Sequence, residues 1–201
     1  MCAYPLARRG LPHKGFFTFI FTFTMIFGGG LIPSYLLNKD LGLVNTFWVM
    51  IIPGAMAVYQ MILARTFIAN TIPEDLIESA KLDGCSDIRF FWQFVLPLSQ
   101  AVIAVIALQY AVGHWNSYFN AMIYLQNNKL YPLQIFLREI LVMNQIDTSD
   151  IADPELAIAM QGMADLLKYA LIVVATAPIL CVYPFIQKYF VKGVMMGSLK
   201  G

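Results

Sequence analysis

Pro73 to Pro97 reads PEDLIESAKLDGCSDIRFFWQFVLP, a charged island set between long apolar runs. Pro73 suits the first turn of a helix, and Glu74 and Asp75 follow where the helix dipole favours negative charge. Leu76, Ile77, Ala80 and Gly84 fall on one stripe, with Glu74, Asp75, Glu78 and Lys81 on the other face. Ala80 and Gly84 are both small and lie four residues apart, so another backbone can approach there. Gly84 suits the left-handed position that ends a helix, and Ser86 with Asp87 can cap the next one. A short amphipathic helix on the aqueous side of a membrane protein is built to touch a partner.

Composition says that the protein is a membrane protein. The chain is 59% hydrophobic and 12% charged, against a charged share of roughly 25% in soluble domains. Its net charge of +1 supplies no basic face for a nucleic acid. Cys2, Cys85 and Cys181 are scattered, with no CxxC and no metal-ligand spacing, and read as small buried hydrophobes. Met1 leads to Arg8, Arg9 and Pro12 rather than to a cleavage site, so no signal peptide is expected.

Charges delimit the spans. No Asp, Glu, Lys or Arg occurs in 15–38, 41–64, 90–128 or 169–187, and crossing the hydrocarbon takes ~20 residues of helix. Pro97 divides the third run, leaving 90–96 to finish the charged island. The expectation is an all-α polytopic bundle, a single transmembrane domain over 1–201. Its four spans are expected at about 16–37, 43–64, 98–119 and 167–187, with an aqueous loop at 66–97 and a second at 126–166. Gly28-Gly29-Gly30 with Pro33, and Pro53-Gly54, interrupt two of these spans. Such breaks survive in a bilayer where neighbouring helices or a water-filled path satisfy the backbone, or where small residues permit close helix contact.

In this four-span topology Arg8, Arg9, Lys14, Arg65, Lys81, Arg89, Lys188, Lys192 and Lys200 fall on one side. Lys39, Lys129, Arg138 and Lys168 fall on the other. The positive-inside rule puts the richer side, both termini and the charged island in the cytoplasm. The outer segment carries Glu139, Asp147, Asp150, Asp153, Glu155 and Asp165 as an acidic face, and an Asp153-Pro154 turn precedes the last span. Leu133, Phe136, Leu137, Ile140 and Leu141 recur there at helical spacing, so part of it is expected to lie along the membrane surface.

At the outer end of the third span stand His114, Trp115, Asn116, Ser117, Tyr118, Phe119 and Asn120. Hydroxyl-bonding groups beside flat aromatic faces suit a saccharide path. The same residues also fit the aromatic belt that lines membrane interfaces without any ligand. Within the expected spans His114 has no second His or carboxylate placed with it. HExxH, GxSxG and P-loop motifs are absent, which argues against an intramembrane hydrolase.

Glu78-Ser79-Ala80 followed by Asp83-Gly84, with Leu96-Pro97 twelve residues on, resembles the EAA loop of ABC-importer permeases, in the carbohydrate (maltose-type) branch. Ser79 stands where that family often has Ala. Ile32-Pro33, Leu41 to Thr46, Trp115-Asn116 and the tail Gln187 to Gly193 through Gly201 are similar to the same family, so the likeness covers nearly the whole chain. The 113–120 run and the tail look most like the branch assigned to complex oligosaccharides, such as uronic-acid-containing fragments.

The resemblance implies a permease subunit of the bacterial plasma membrane that is not an enzyme. It would import an oligosaccharide and couple to ATPases through Glu78, Ser79, Ala80, Asp83 and Gly84. His114, Trp115, Asn116, Tyr118 and Asn120 would line the substrate path. The implied partners are a second permease subunit, two cytoplasmic ATPases and an extracellular solute-binding protein. No cofactor or metal is expected on this chain, since ATP and Mg would sit on the ATPases. A permease for a non-sugar solute and a non-transporting receptor or scaffold subunit are the alternatives. Permeases of this kind have six spans, and Ala3 to Arg8 resembles the cytoplasmic end of the second, so two N-terminal spans are expected to be missing from this chain.

Overall fold

Glycine and proline decide where the helices stop. The structure, a computed structural model, describes residues 1–143 and 154–198. Its helices are α1 (Ala3–Ala7), α2 (Lys14–Ile26), α3 (Leu31–Asp40), α4 (Val58–Thr71), α5 (Glu74–Leu82) and α6 (Asp87–Phe90). They continue through α7 (Leu96–Leu98), α8 (Gln100–Trp115), α9 (Tyr118–Tyr124), α10 (Leu133–Met143) and α11 (Pro154–Ser198). The regular structure is all-helical, with no strand among the described residues. Asp147, Asp150 and Asp153 of the expected acidic face, the Asp153-Pro154 turn as a unit, and the tail residues Lys200 and Gly201 lie outside the described residues.

Three of the four expected spans are not single straight helices. The stretch 16–37 is divided at Phe27–Gly30, and α2 and α3 meet at 112°. Gly30 makes the corner at φ 82°, ψ 179°, a conformation open essentially to glycine alone. The stretch 43–64 contains a 3-10 turn at Phe47–Met50 and irregular chain through Pro53-Gly54 before α4 begins. That helix runs on past Ala64 to Thr71, so Arg65 is helical, and its Nε donates to the Leu6 carbonyl at 3.2 Å.

In the third stretch Pro97 has no N–H to return to the preceding turn. A π-helical turn over Phe91–Val95 precedes it, and the helix ending at Leu98 meets α8 at 80° across Ser99. By length and composition the Met160–Pro184 part of α11 can cross a membrane alone, and each bent pair can add one crossing. The described residues therefore offer one to three crossings by that measure where four were expected, because the chain around Pro53-Gly54 forms no long helix.

Among the described residues, two buried clusters hold the fold. At one end Leu6, Met61, Ile68, Ile77, Phe90 and Val95 bring α1, α4, α5 and α6 together. At the other, Val49, Ala121, Tyr124, Leu125 and Ile135 join the 3-10 turn to α9 and α10. Asn45, left-handed at φ 60°, staples that second end. Its N–H donates to the Tyr124 carbonyl at 2.8 Å, and its Oδ1 accepts from the Gln126 and Asn127 amides, each at 3.0 Å. Ile135 and Leu137 of α10 are buried, while Leu133, Phe136, Ile140 and Leu141 are exposed. Large apolar side chains such as Phe16, Phe19, Ile26, Leu166 and Val173 also cover the outside of α2 and α11. So wide an apolar exterior suits lipid and neighbouring membrane helices rather than water.

Candidate functional site

The α5 helix ends on Gly84 in a geometry that fixes the loop after it. Gly84 is left-handed at φ 75°. Its N–H donates to the Lys81 carbonyl at 3.0 Å, and the Cys85 N–H donates to the Ala80 carbonyl at 2.9 Å. This pair of bonds closes the helix in a Schellman motif. Ser86 then caps α6, its Oγ accepting from the Arg89 N–H at 3.4 Å.

The N-terminal residues strap this island to the bundle. The Arg8 guanidinium pairs with Asp87 and lies 5.8 Å from the Tyr4 ring centroid, while the Arg9 N–H donates to Glu74 Oε1 at 3.2 Å. The Tyr4 ring sits 5.6 Å from Phe91 and 6.4 Å from Phe90. Burial raises the Tyr4 phenol above its ordinary pKa, so it stays neutral, while Arg8 pulls the other way. Lys14 Nζ donates to the Arg8 carbonyl at 3.0 Å and to that of Ala7 at 3.4 Å.

The structure turns the two faces of α5 in opposite directions. Ala80 is only 8% exposed and packs with Ile77 against this chain's own core, so the close approach that its small side chain permits is made within the chain. Glu78, Ser79, Asp83 and Gly84 face solvent. Between them Leu82 is 91% exposed, and Ile88 just beyond the turn is 75% exposed. Sequence reading missed these two. The signal was there, since Leu82 stands off the stripe formed by Leu76, Ile77 and Ala80.

The second site is a cavity of about 420 Å³ between α3, α4, α8 and α9, beside the irregular Pro53-Gly54 segment. Gln60, Gln109, Asn38, Asn120, Tyr110 and His114 line it, together with Ser34, Ser117 and Tyr124. The Tyr110 hydroxyl accepts from the Ala57 N–H at 2.9 Å and reaches the Ala55 carbonyl at 3.4 Å, holding the broken backbone open along the wall. Its ring stacks on His114 at 6.4 Å. The Oε1 atoms of Gln60 and Gln109 are buried without a hydrogen-bond partner.

Of the expected path residues, the structure brings His114 and Asn120 to this cavity and sends the others elsewhere. The α8 helix ends at Trp115, and the Ser117 hydroxyl donates to the His114 carbonyl at 2.6 Å, so the 114–120 stretch is not one regular helix. Trp115 Nε1 donates to the Ala175 carbonyl of α11 at 3.0 Å, a structural contact in the turn that Pro178 weakens. Asn116 caps α8 and does not line the cavity. Tyr118 lies under the Arg138 guanidinium, 5.6 Å from ring centroid to Cζ, at a separate small hollow. Gln60 and Gln109 escaped the sequence reading because they stand apart from the 114–120 cluster in sequence and reach this wall only through tertiary packing. Among the described residues no three His, Cys, Asp or Glu gather where a metal could sit.

Residues 6–196 match the model of the family described as the binding-protein-dependent transport system inner membrane component. The chain belongs to this family. It is 44% identical over 200 residues to Protein LplC of Bacillus subtilis (strain 168), across 99% of this chain and 66% of LplC. It is 43% identical over 201 residues to the polygalacturonan/rhamnogalacturonan transport system permease protein YtcP of the same strain, across 100% of this chain and 69% of YtcP. The fold also matches a crystal structure of a bacterial ABC transporter involved in the import of the acidic polysaccharide alginate. There the TM-score is 0.79 and the identity 33%, across 94% of this chain and 66% of that one. The chain thus spans about two thirds of the length of these relatives. Family membership makes it a membrane-located transport component rather than an enzyme.

Proposed function

We propose that this chain forms one wall of the translocation path of an oligosaccharide importer and transmits ATP-driven motion through α5. The observation that carries the reading is the cavity of about 420 Å³, whose polar wall lies in a family of binding-protein-dependent permeases. Sugars present hydroxyls in every direction, and a wall of amides, hydroxyls and an imidazole beside stacked rings meets them without fixed charge. YtcP, named for polygalacturonan and rhamnogalacturonan, and the alginate importer support a saccharide over other solutes.

The partners are a second permease subunit that closes the cavity, two ATPases that bind ATP and Mg, and an extracellular solute-binding protein. On the four-span topology read from the sequence, the excess of Lys and Arg on the α5 side supports placing both termini and the charged island in the cytoplasm, beside the ATPases. There the exposed Leu82 and Ile88, with Glu78 and Asp83 beside them, form the docking face. Closure of the ATPases pulls α5. The strap through Arg8 and the shared core make α1, α4 and α6 follow it, and the bundle rocks to open the path to one side at a time.

The test is uptake of oligosaccharides by proteoliposomes holding the complete transporter with its binding protein. ATP-dependent accumulation of a saccharide supports the reading. Accumulation of amino acids or peptides instead, or no ATP-dependent accumulation of any saccharide, overturns it.

A further inference from the structure

We infer that the path wall supplied by this subunit selects sugar hydroxyls and offers no Lys or Arg to a substrate carboxylate, so that any such countercharge for a uronate must come from the partner permease. The inference rests on the saccharide-path reading above and deepens it. Among the described residues lining the cavity there is no Lys, Arg, Asp or Glu. A carboxylate brought to such a wall leaves water without finding a Lys or Arg, which is costly in a low-dielectric surround.

The two glutamines carry the positive half of the argument. Gln60 on α4 and Gln109 on α8 both line the cavity, and the amide oxygen of each is buried with no donor. Buried polar atoms without partners are rare and call for one. An amide oxygen needs a donor; a hydroxyl can donate, whereas an ionised carboxylate only accepts. The last torsion of a glutamine is broad, so rotation turns either end of the amide toward the cavity. A hydroxyl, both donor and acceptor, satisfies whichever end it meets. Asn38 and Asn120 on α3 and α9 extend the same neutral chemistry around the wall.

The experiment compares two probes that differ only in oxidation at C6, an α-1,4-linked galactose trisaccharide and trigalacturonate. ATP-driven uptake is measured in proteoliposomes of the complete transporter with its binding protein, for Gln109→Met and Gln109→Glu. Gln109→Met keeps the shape and removes the hydrogen bonds, so uptake of whichever probe is carried should fall roughly three- to tenfold. Gln109→Glu keeps acceptors for hydroxyls, so its uptake should equal or exceed that of Gln109→Met for both probes. Gln60→Met reads the same wall from α4 should Gln109→Met lower the yield of complex. Wild-type rates in both methionine variants overturn the inference alone. So does a Gln109→Glu transporter slower than Gln109→Met for trigalacturonate, because repulsion then shows a carboxylate passing this wall. A wild-type transporter that accumulates neither probe, nor any other saccharide in the preceding test, overturns the saccharide reading and this inference with it.

Discussion

Two left-handed residues, Gly84 and Asn45, do different work with the same backbone angle. At Gly84 an added Cβ would meet nothing within 4 Å, so the only obstacle to a side chain within this chain is conformational. Gly84→Ala should therefore destabilise the end of α5 by about 1 kcal/mol, and Gly84→Asn by less, since Asn tolerates this region. Thermal unfolding of the detergent-solubilised protein checks the order. Gly84→Asp should fold much as Gly84→Asn does, yet uncouple ATP hydrolysis from uptake, because its charge projects from the proposed docking face. Equal coupling in Gly84→Asn and Gly84→Asp would remove Gly84 from that face. Asn45 adds a side-chain acceptor to its backbone role. Asn45→Ala leaves two backbone N–H groups without their partner and should cost about 1 kcal/mol, the low end for an exposed site. Asn45→Asp keeps the acceptor and should be near wild type. Faster proteolysis around 126–132 in the alanine variant alone is the expected readout.

Among the elements, the break between α8 and α9 decides which side chains reach the cavity. On an unbroken helix Asn116 and Asn120 share a face. The turn at Asn116 and Ser117 separates them, and only Asn120 lines the cavity. Asn120→Leu should thus lower uptake several-fold, while Asn116→Leu should leave it near wild type. Trp115→Phe, which loses the bond to the Ala175 carbonyl, should weaken the α8–α11 contact by about 1 kcal/mol without altering substrate preference. Reversal of the two asparagine results would restore the regular-helix geometry. The break was hard to read in advance because no Gly or Pro stands at Asn116 or Ser117, where the chain turns and the Ser117 hydroxyl returns to the His114 carbonyl. The corners at Gly28–Gly30, Pro53-Gly54 and Pro97 were legible for the opposite reason, since backbone freedom and a missing N–H are written in the residue type. The α5 turn was legible too, through Pro73, Gly84 and Ser86. The cavity was not, because Gln60 and Gln109 lie far apart in sequence and meet only through tertiary packing.

For the whole molecule, the proposed function requires a link from α5 to the cavity. The Arg8–Asp87 pair alone contributes little stability. Asp87 is 61% exposed and Arg8 18% exposed, so about 0.5 kcal/mol is expected after solvent screening. Its role is to hold α6 to α1, and the shared core ties both to α4, one of the cavity walls. Arg8→Asp should accordingly leave the amount of protein in the membrane nearly unchanged but raise the ATP hydrolysed per sugar imported. Combining it with Asp87→Arg should restore much of the ratio. Failure of the swapped pair to rescue would show that the link is not electrostatic.

Docking itself is the last step. Ala80 faces inward, so the partner must meet what faces outward on the island, chiefly Leu82. A leucine 91% exposed adds little to the fold of its own chain, and surface substitutions of that kind fall within about 0.5 kcal/mol. Burying it in a partner is worth roughly 2 kcal/mol, about thirtyfold in affinity. Leu82→Ser should consequently leave folding and membrane level intact while the ATPase subunits dissociate about thirtyfold more readily on affinity purification. Undiminished retention of the ATPases in Leu82→Ser would place the docking energy elsewhere on the island, with Ile88 the next side chain to test.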